Sequence, residues 1–324
     1  MQKLMNKKNK RYWGRRAPFY LIKDLNCALA TQEVLQDMIG IRKDNLLRAC
    51  TGLEGGVVAS GSTCGVVTGG ALGLALMYDE LLTQHSTLAE VEVLYLVGEY
   101  VRWFENCFGS SLCRKRSGVN FYSLLGQLHY FFPGKSLAKC LWHIKDAIGY
   151  LQTQQEKKLP KISLNQKESL NQPIHCAQVV LKGIKDRTGI SDPLLERLCF
   201  VFDGGVGLQG GICGALAGAI LGINLVIGLN IREISYLHTI KAFIVGHINI
   251  LRDKPLGSPE TFSVGKNVVQ RFREKAGSLE CREITKKTFS DWNDFQLHIS
   301  SSEECKKIIE FAINEGASAI KKLI

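Results

Sequence analysis

The chain of 324 residues contains an internal duplication, which constrains its fold more than any other feature of the sequence. A shift of 149 residues superposes three cysteine pairs, Cys27/Cys176, Cys50/Cys199 and Cys64/Cys213. Between Leu46 and Leu76, 13 of 31 positions are identical to their partners in the second half. Because a repeated sequence folds into a repeated unit, we expect two tandem domains of one architecture. The predicted boundaries are a basic N-terminal tail over 1–22, a first repeat over 23–151, a linker over 152–172 and a second repeat over 173–324.

The match continues beyond this region with a larger offset, which indicates an insertion in the second half. "FENCFGSSLCR" aligns with "FREKAGSLECR", and this alignment pairs Cys113 with Cys281. Cys140 and Cys305 then fall at similar distances, each early in a predicted helix. Each repeat therefore carries four cysteines in one order: N-terminal helix, glycine-rich helix, the loop after the next helix, and C-terminal helix. Cys50 and Cys199 form an additional matched pair.

Helical periodicity dominates both halves, and the alternating pattern of strands is scarce. The clearest helices are predicted over residues 26–40, 86–109 and 301–316. A capping box, Thr87-x-x-Glu90, predicts the start of the second of these helices. Ser301-x-x-Glu304 predicts the start of the third. The fold class expected from these patterns is all-α.

A glycine-rich apolar segment occupies the centre of each repeat, "GSTCGVVTGGALGLAL" in the first and "GGICGALAGAILGINL" in the second. In both, glycine recurs at every fourth position after the cysteine: Gly65, Gly69 and Gly73, then Gly214, Gly218 and Gly222. On a helix this spacing makes one stripe without side chains, where another backbone can approach closely. Each glycine costs a helix up to about 1 kcal/mol, so a packing role is expected. We predict a central buried helix in each repeat.

A membrane span is the alternative for the second copy, since residues 211–229 form a long apolar window with small residues at helical spacing. The first copy is shorter and meets Asp79 and Glu80 soon after its apolar run. Repeated units share a solvent, so membrane association is not expected.

Cys64 and Cys213 are predicted in the first turn of these two helices. Unpaired amides and the positive end of the helix dipole stabilise a thiolate there, as a cluster ligand or redox thiol requires. The alternative is that these cysteines are small buried hydrophobic residues. Glu54 and Asp203 each precede a Gly-Gly pair, and we expect them to accept loop amides or to handle protons beside the thiols.

The net charge of +11 suggests a nucleic-acid or anionic-surface partner at first sight. Seven of the cations lie in the first 16 residues, and the remainder of the chain carries only about +4. We interpret this segment as a solvated, disordered tail and expect no specific nucleic acid. No secretory signal is recognised, so a cytoplasmic location is expected, where the 11 cysteines would stay reduced.

These residues resemble a known family. The "NCA" or "HCA" helix start, the Gly-Gly loop, the "CGAL-x-G" helix and the two later cysteines are similar to the C_GCAxxG_C_C family, named after its motif. The first copy departs from the pattern, with "CGVVTGG" in place of "CGALAGA". The resemblance implies a domain that binds an iron–sulfur cluster or transfers electrons through its cysteines, found beside redox proteins of anaerobes such as split-Soret cytochromes.

The resemblance assigns the cofactor-binding or metal-binding role to four cysteines in each repeat. They are Cys27, Cys64, Cys113 and Cys140, then Cys176, Cys213, Cys281 and Cys305. The intervening residues number 36, 48 and 26 in the first repeat and 36, 67 and 23 in the second, so the tertiary fold would have to assemble any site. A [4Fe-4S] or [2Fe-2S] cluster suits four thiolates, and zinc could use the same set. Disulfide exchange within a repeat is the thiol-only alternative.

The functional hypothesis is electron transfer or redox sensing, with a redox partner protein. Two rivals stay open: a structural or membrane-associated helical protein whose cysteines only pack, and an enzyme that passes electrons to a small substrate. Nothing in the sequence assigns a catalytic residue.

Overall fold

The computed structural model describes residues 12–84, 87–155, 173–257 and 261–324, and within them the chain forms helices and no strand. The all-α prediction is confirmed. Two antiparallel β-bridges, each a single residue pair, are the exceptions to helical and loop structure in this part of the chain.

Nine helices lie in the described residues of the first repeat and its N-terminal extension. They are α1 (Tyr12–Asp24), α2 (Cys27–Ile39), α3 (Asp44–Cys50), α4 (Gly65–Met77), α5 (Asp79–Leu82), α6 (Thr87–Phe108), α7 (Cys113–Ser117), α8 (Leu124–Phe131) and α9 (Lys135–Gln154). A short 3₁₀ helix over Thr51–Leu53 follows α3. The Asn26 side chain caps α2 by accepting hydrogen bonds from the amides of Ala28 and Leu29.

The second repeat contains eight helices among its described residues. They are α10 (Cys176–Thr188), α11 (Pro193–Leu198), α12 (Gly214–Ile227), α13 (Tyr236–Leu251), α14 (Thr261–Ala276), α15 (Cys281–Thr285), α16 (Trp292–Ser301) and α17 (Glu303–Lys321). A 3₁₀ helix over Cys199–Phe202 repeats the one in the first half. Helix α13 belongs to the insertion that the change of offset indicated.

The glycine stripes pack as the sequence predicts. A Cβ on Gly69 would lie 2.8 Å from the carbonyl oxygen of Ala28 on α2, and one on Gly218 would lie 2.7 Å from that of Ala177 on α10. Both glycine-rich helices are buried almost throughout. The central helix of each repeat therefore contacts the backbone of its N-terminal helix directly.

The two repeats interlock. Helix α12 of the second repeat packs on α3 and on the 3₁₀ helix of the first repeat. Helix α4 of the first repeat packs on the 3₁₀ helix of the second repeat. The amide of Ile212 donates to the hydroxyl of Thr63 over 2.8 Å, and these two residues are partners in the duplication. The cysteine-bearing loops of the two repeats thus meet in the centre of the molecule.

The predicted tail needs a correction. Residues 12–22 lie in α1, where Gly14, Ala17 and Leu21 are buried. A Cβ on Gly14 would lie 2.8 Å from the carbonyl oxygen of Lys145, so α1 packs closely on α9. The three small or apolar side chains share one helical face, and this burial outweighs the solvation of the neighbouring cations. Residues 1–11 lie outside the described part.

One predicted helix start shifts by about a residue, and another falls at the edge of the described part. Helix α6 is described from Thr87 onward and residues 85 and 86 lie outside the described part, so the capping box at Thr87 stays a prediction. Ser302, not Ser301, caps α17 by accepting from the amide of Cys305. The predicted linker begins inside α9, which continues to Gln154, and residues 156–172 lie outside the described part.

No helix in the described ranges is both long and apolar enough to cross a membrane. Helix α12, which holds most of the apolar window, ends at Ile227 after 14 residues.

Candidate functional site: two four-cysteine cavities

A β-bridge fixes the second and third cysteines of the first repeat beside each other. Thr63 pairs with Leu112. The amide of Cys64 donates to the carbonyl of Ser111 over 2.8 Å, and the amide of Cys113 donates to the carbonyl of Ser62 over 2.7 Å. Two cysteines 48 residues apart in the sequence are thereby positioned by backbone hydrogen bonds.

An equivalent β-bridge positions the second and third cysteines of the second repeat. Ile212 pairs with Glu280. The amide of Cys213 donates to the carbonyl of Leu279 over 2.8 Å, and that of Cys281 donates to the carbonyl of Gly211 over 2.6 Å. The matched cysteines of the duplication therefore occupy matched structural positions.

The Gly-Gly loops before these bridges are left-handed. All residues from Gly55 to Ala59 have positive φ, including Val57 at 66° and Val58 at 50°. β-Branched residues avoid this region, and each such position costs roughly 1–3 kcal/mol. In the second repeat Val206 and Leu208 have φ of 64° and 65°. Strained backbone is thus concentrated where the chain turns into the second cysteine of each repeat.

The first glycine of each stripe makes room for the first cysteine. A Cβ on Gly65 would overlap the sulfur of Cys27, and one on Gly214 would lie 2.9 Å from the Cβ of Cys176. Cys64 and Cys213 are the N-cap residues of α4 and α12, as their predicted positions at the helix starts require.

The four predicted cysteines of each repeat line one cavity. The first cavity has a volume of about 200 Å³ and is lined by Cys27, Cys64, Cys113 and Cys140. The second has about 20 Å³ and is lined by Cys176, Cys213, Cys281 and Cys305. The fourth cysteine comes from α9 or α17, each a long helix packed against the glycine-rich helix of its repeat.

The structure corrects the predicted location of the third cysteine of each repeat, and it places one matched cysteine pair outside the cavities. Cys113 and Cys281 are not in loops but are the first residues of the short helices α7 and α15. The matched pair Cys50 and Cys199 is buried but lines neither cavity. All 11 cysteines are free thiols.

Arg116 supplies the charge of the first cavity. It is only 7 % exposed, and its Nη1 donates to the sulfur of Cys64 over 2.8 Å. Its Nη2 contacts Nδ1 of His143, and its guanidinium carbon lies 4.9 Å from the ring centroid of Phe104. Among the described residues it has no carboxylate partner, and its Nε has no hydrogen-bond partner. The ionisable groups in contact with or near this buried cation are therefore His143 and the cavity thiols.

His143 is neutral in this environment. Burial, followed by the charges of Arg116 and Lys139, lowers the pKa of His143 to about 3. Nδ1 of a neutral imidazole can accept the Arg116 hydrogen bond but cannot balance its charge. The thiols are the groups that can do so.

Glu54 also lines the first cavity, beside Cys27. Burial raises the pKa of Glu54 to about 8. Burial raises the pKa of Cys27 well above its ordinary value, and the nearby Cys64 and Glu54 add to this. A protonated carboxyl group therefore lies close to the thiols at neutral pH, and its role in handling protons stays a prediction.

The second cavity is apolar apart from its thiols and two polar neighbours, His298 and Thr285. Ile284 occupies the position that the duplication pairs with Arg116. Burial raises the pKa of Cys213 to about 11, although the amides of Ala215 and Leu216 lower it. The expectation that the helix start keeps this thiol ionised is thus wrong, because desolvation is the larger effect.

Asp203, the counterpart of Glu54, has other partners. It accepts from Nδ1 of His175 over 2.7 Å and from the amide of Cys176 over 3.1 Å. Burial opposes the charge on His175, but Asp203 and Glu90 together raise its pKa to about 9. Asp203 is therefore held in an ion pair and accepts the amide at the start of α10, whereas an amide of the Gly-Gly loop was predicted as its donor.

Within the described residues, no group of three or more His, Cys, Asp or Glu side chains is arranged to hold a single metal ion. The thiols of each repeat line a common cavity but do not converge on one point. Arg116 is the site residue that sequence reasoning missed; the signal available was its replacement by Ile284 in an otherwise matched motif.

Comparison with known proteins agrees with this duplication. A family model described as "Putative redox-active protein (C_GCAxxG_C_C)" matches residues 25–153 and again residues 174–317. No curated protein and no solved structure matches the chain. The two matches cover most of the sequence, and each contains one set of four cysteines. The chain therefore belongs to the C_GCAxxG_C_C family, of which it carries two tandem copies.

Proposed function

We propose that this redox-active protein binds an iron–sulfur cluster through a four-cysteine set and uses it for electron transfer or redox sensing. One observation carries the proposal: cysteines separated by 36, 48 and 26 residues in the sequence line a single buried cavity. Cysteines that only packed would have no reason to gather around a common space, and the matched pair Cys50 and Cys199 shows that this chain also buries cysteines elsewhere.

The residues of the first cavity fit such a group. Thiolates are the ligands of iron–sulfur clusters, and in a cluster they bind different irons, so they surround a volume instead of meeting at one point. Cys27, Cys64, Cys113 and Cys140 would be the ligands, and a bound cluster would supply one-electron chemistry. The Nε atom of Arg116 has no hydrogen-bond partner and could donate to a bound anionic cluster. Zinc is less well suited, since a single ion requires convergent ligands.

The surrounding chain contributes exclusion of water and control of charge. Leu25, Phe131 and Phe243 line the same cavity as the thiols and keep it apolar. Arg116 donates to the Cys64 sulfur, and Glu54 holds a proton nearby. We place this chemistry in a reducing cytoplasm, where 11 unpaired cysteines are stable, and expect a redox partner protein.

Anaerobic purification from cells supplied with iron tests the proposal. We expect a coloured protein whose iron and acid-labile sulfide are present in equal amounts, with absorption near 400 nm that bleaches on reduction. Replacing all eight cavity cysteines by alanine should remove the colour and the iron together. A colourless protein without iron or sulfide would contradict the proposal.

A second candidate function is dithiol–disulfide exchange in the first cavity. The contact between Arg116 and Cys64 favours it, since a neighbouring cation stabilises the thiolate that attacks a disulfide. Two thiols would each lose a proton and together give two electrons to an external disulfide, which leaves as two thiols. Mass analysis of the metal-free protein after mild oxidation separates the candidates, because only exchange requires a reversible disulfide between cavity cysteines.

A further inference from the structure

We propose that the two repeats have diverged in role: the first repeat alone holds the cluster, with Arg116 as its counter-cation, and the second repeat supports the first. This inference rests on the proposed function and assigns it to one set of cysteines. Three independent differences between the cavities carry it.

The first difference is space. The first cavity has about 200 Å³ and the second about 20 Å³. A single water already needs roughly 10–15 Å³ measured in this way, so the second cavity has room for little more than one water. Its thiols are enclosed by branched and aromatic side chains, among them Ile284, Ile308, Phe289 and Phe295.

The second difference is charge. A cluster held by four thiolates is an anion, and a buried anion requires a compensating charge. Arg116 provides it in the first cavity, where its Nη1 already contacts the Cys64 sulfur and its Nε has no partner. Ile284 stands at the matched position of the second repeat, and neither lysine nor arginine lines that cavity among the described residues.

The third difference is the carboxyl group of each loop. Glu54 lines the first cavity, whereas Asp203 is committed to His175 and the amide of Cys176. His175 Nε2 in turn lies 3.4 Å from Glu90 on α6 of the first repeat. In the second repeat the loop carboxyl therefore contributes to the interface between repeats.

The second repeat also completes the wall of the first cavity. Phe243 and His247 on α13 line it, and the Gln127 side chain of α8 donates to the carbonyl of His247 over 2.9 Å. Helix α13 belongs to the insertion, which the first repeat lacks. The first repeat thus provides the cysteines of the site, and the second repeat provides a helix that covers it.

Two matched variants test the assignment. Cys64→Ala with Cys113→Ala removes the bridged pair of the first cavity, and Cys213→Ala with Cys281→Ala removes the equivalent pair of the second. Iron and sulfide per chain are measured after anaerobic purification, with circular dichroism to compare the folding of both variants. We expect about one cluster per wild-type chain and the same cluster content in the second-repeat variant. In the first-repeat variant we expect the cluster content to fall at least tenfold.

The outcomes distinguish this inference from the proposed function. Two clusters per chain, or a cluster retained by the first-repeat variant and lost from the second-repeat variant, would overturn the assignment and leave the function standing. Wild-type protein without iron or sulfide would overturn both.

Arg116 has a test of its own. Arg116→Leu removes a positive charge beside the centre and should shift its midpoint potential to a more negative value, because reduction adds negative charge. Arg116→Lys keeps the charge and should restore most of the potential. A residue that only supported the fold would change cluster content without this dependence on charge, so equal potentials in the leucine and lysine variants would contradict the counter-cation role.

Discussion

At the scale of single residues, Glu54 shows how burial couples ionisation to stability. Burial raises its pKa from 4.5 to about 8. The folded protein therefore binds a proton more tightly than the unfolded chain does between these values. Stability consequently falls as the pH rises from about 4.5 to about 8, since the unfolded chain releases this proton in that range while the folded state still retains it.

Glu54→Gln should weaken this pH dependence and leave the part that comes from Asp24, whose pKa burial also raises to about 8. The amide is neutral at every pH, so the variant is expected to be more stable than the metal-free wild type at pH 9, by about 1–3 kcal/mol. Urea unfolding of the reduced protein at pH 5 and pH 9 measures the difference. Glu80→Gln, at an exposed position, is the control and should change neither value. A wild-type stability that rises from pH 5 to pH 9 would contradict the assignment.

The eight cavity cysteines could be predicted from the sequence because the duplication matches five cysteine pairs and the family resemblance selects four of these pairs. Arg116 could not, since its contact with Cys64 depends on how α7 is placed by the Thr63–Leu112 bridge. The pKa of Cys213 was also beyond reach, because the helix-start argument omits the desolvation that tertiary packing imposes.

At the scale of elements, the glycine stripes decide how closely α2 and α4 approach. Gly69 faces the Ala28 carbonyl at a separation that leaves no room for a methyl group. This close approach was predictable from the sequence, because glycine at every fourth position of a helix needs a close backbone neighbour to offset its low helix propensity. The start of α17 was predictable to about a residue, whereas the helix continues five residues beyond its predicted end at 316. Helix α1 was missed because its many cations obscured the pattern of its buried face.

Gly69→Ala should destabilise the protein by about 1–3 kcal/mol, because the added methyl group must push α4 away from α2. Gly149→Ala is the matched control on α9, where an added Cβ meets nothing within 4 Å. There alanine should be neutral or stabilising by up to about 1 kcal/mol through its helix propensity. Chemical unfolding of both variants measures the contrast, and equal effects would contradict the packing account.

At the scale of the whole molecule, the two repeats form one structure joined by polar contacts as well as by packing. Arg114 donates to Glu280 over 2.7 Å across the interface. Burial would raise the pKa of Glu280, but hydrogen bonds from Arg114 and Ser278 and the charge of Arg114 together lower it. The sequence predicted two tandem units but not their interlocking, because the pairing of Arg114 with Glu280 has no counterpart in the duplicated pattern.

Glu280→Gln should cost about 1 kcal/mol at pH 7, since it removes a charge-assisted hydrogen bond to a partly exposed arginine. Because the folded state lowers the pKa of Glu280, its stabilising contribution is present above about pH 4.5 and is lost in more acidic solution. The stabilities of the wild type and the variant should therefore become equal in acid. Glu283→Gln in the adjoining helix α15 removes the exposed ion-pair partner of Lys286 and should cost less than about 0.5 kcal/mol. Thermal unfolding at pH 7 and pH 3 provides the comparison, and a difference that grows in acid would contradict the sign.

The central claim is that four cysteines of the first repeat hold a cluster and those of the second do not. Anomalous diffraction at the iron absorption edge, from crystals grown anaerobically, tests it most directly. The account predicts one group of iron peaks, enclosed by the sulfurs of Cys27, Cys64, Cys113 and Cys140 and adjacent to Arg116. Iron among Cys176, Cys213, Cys281 and Cys305, or no iron in either cavity, would contradict it.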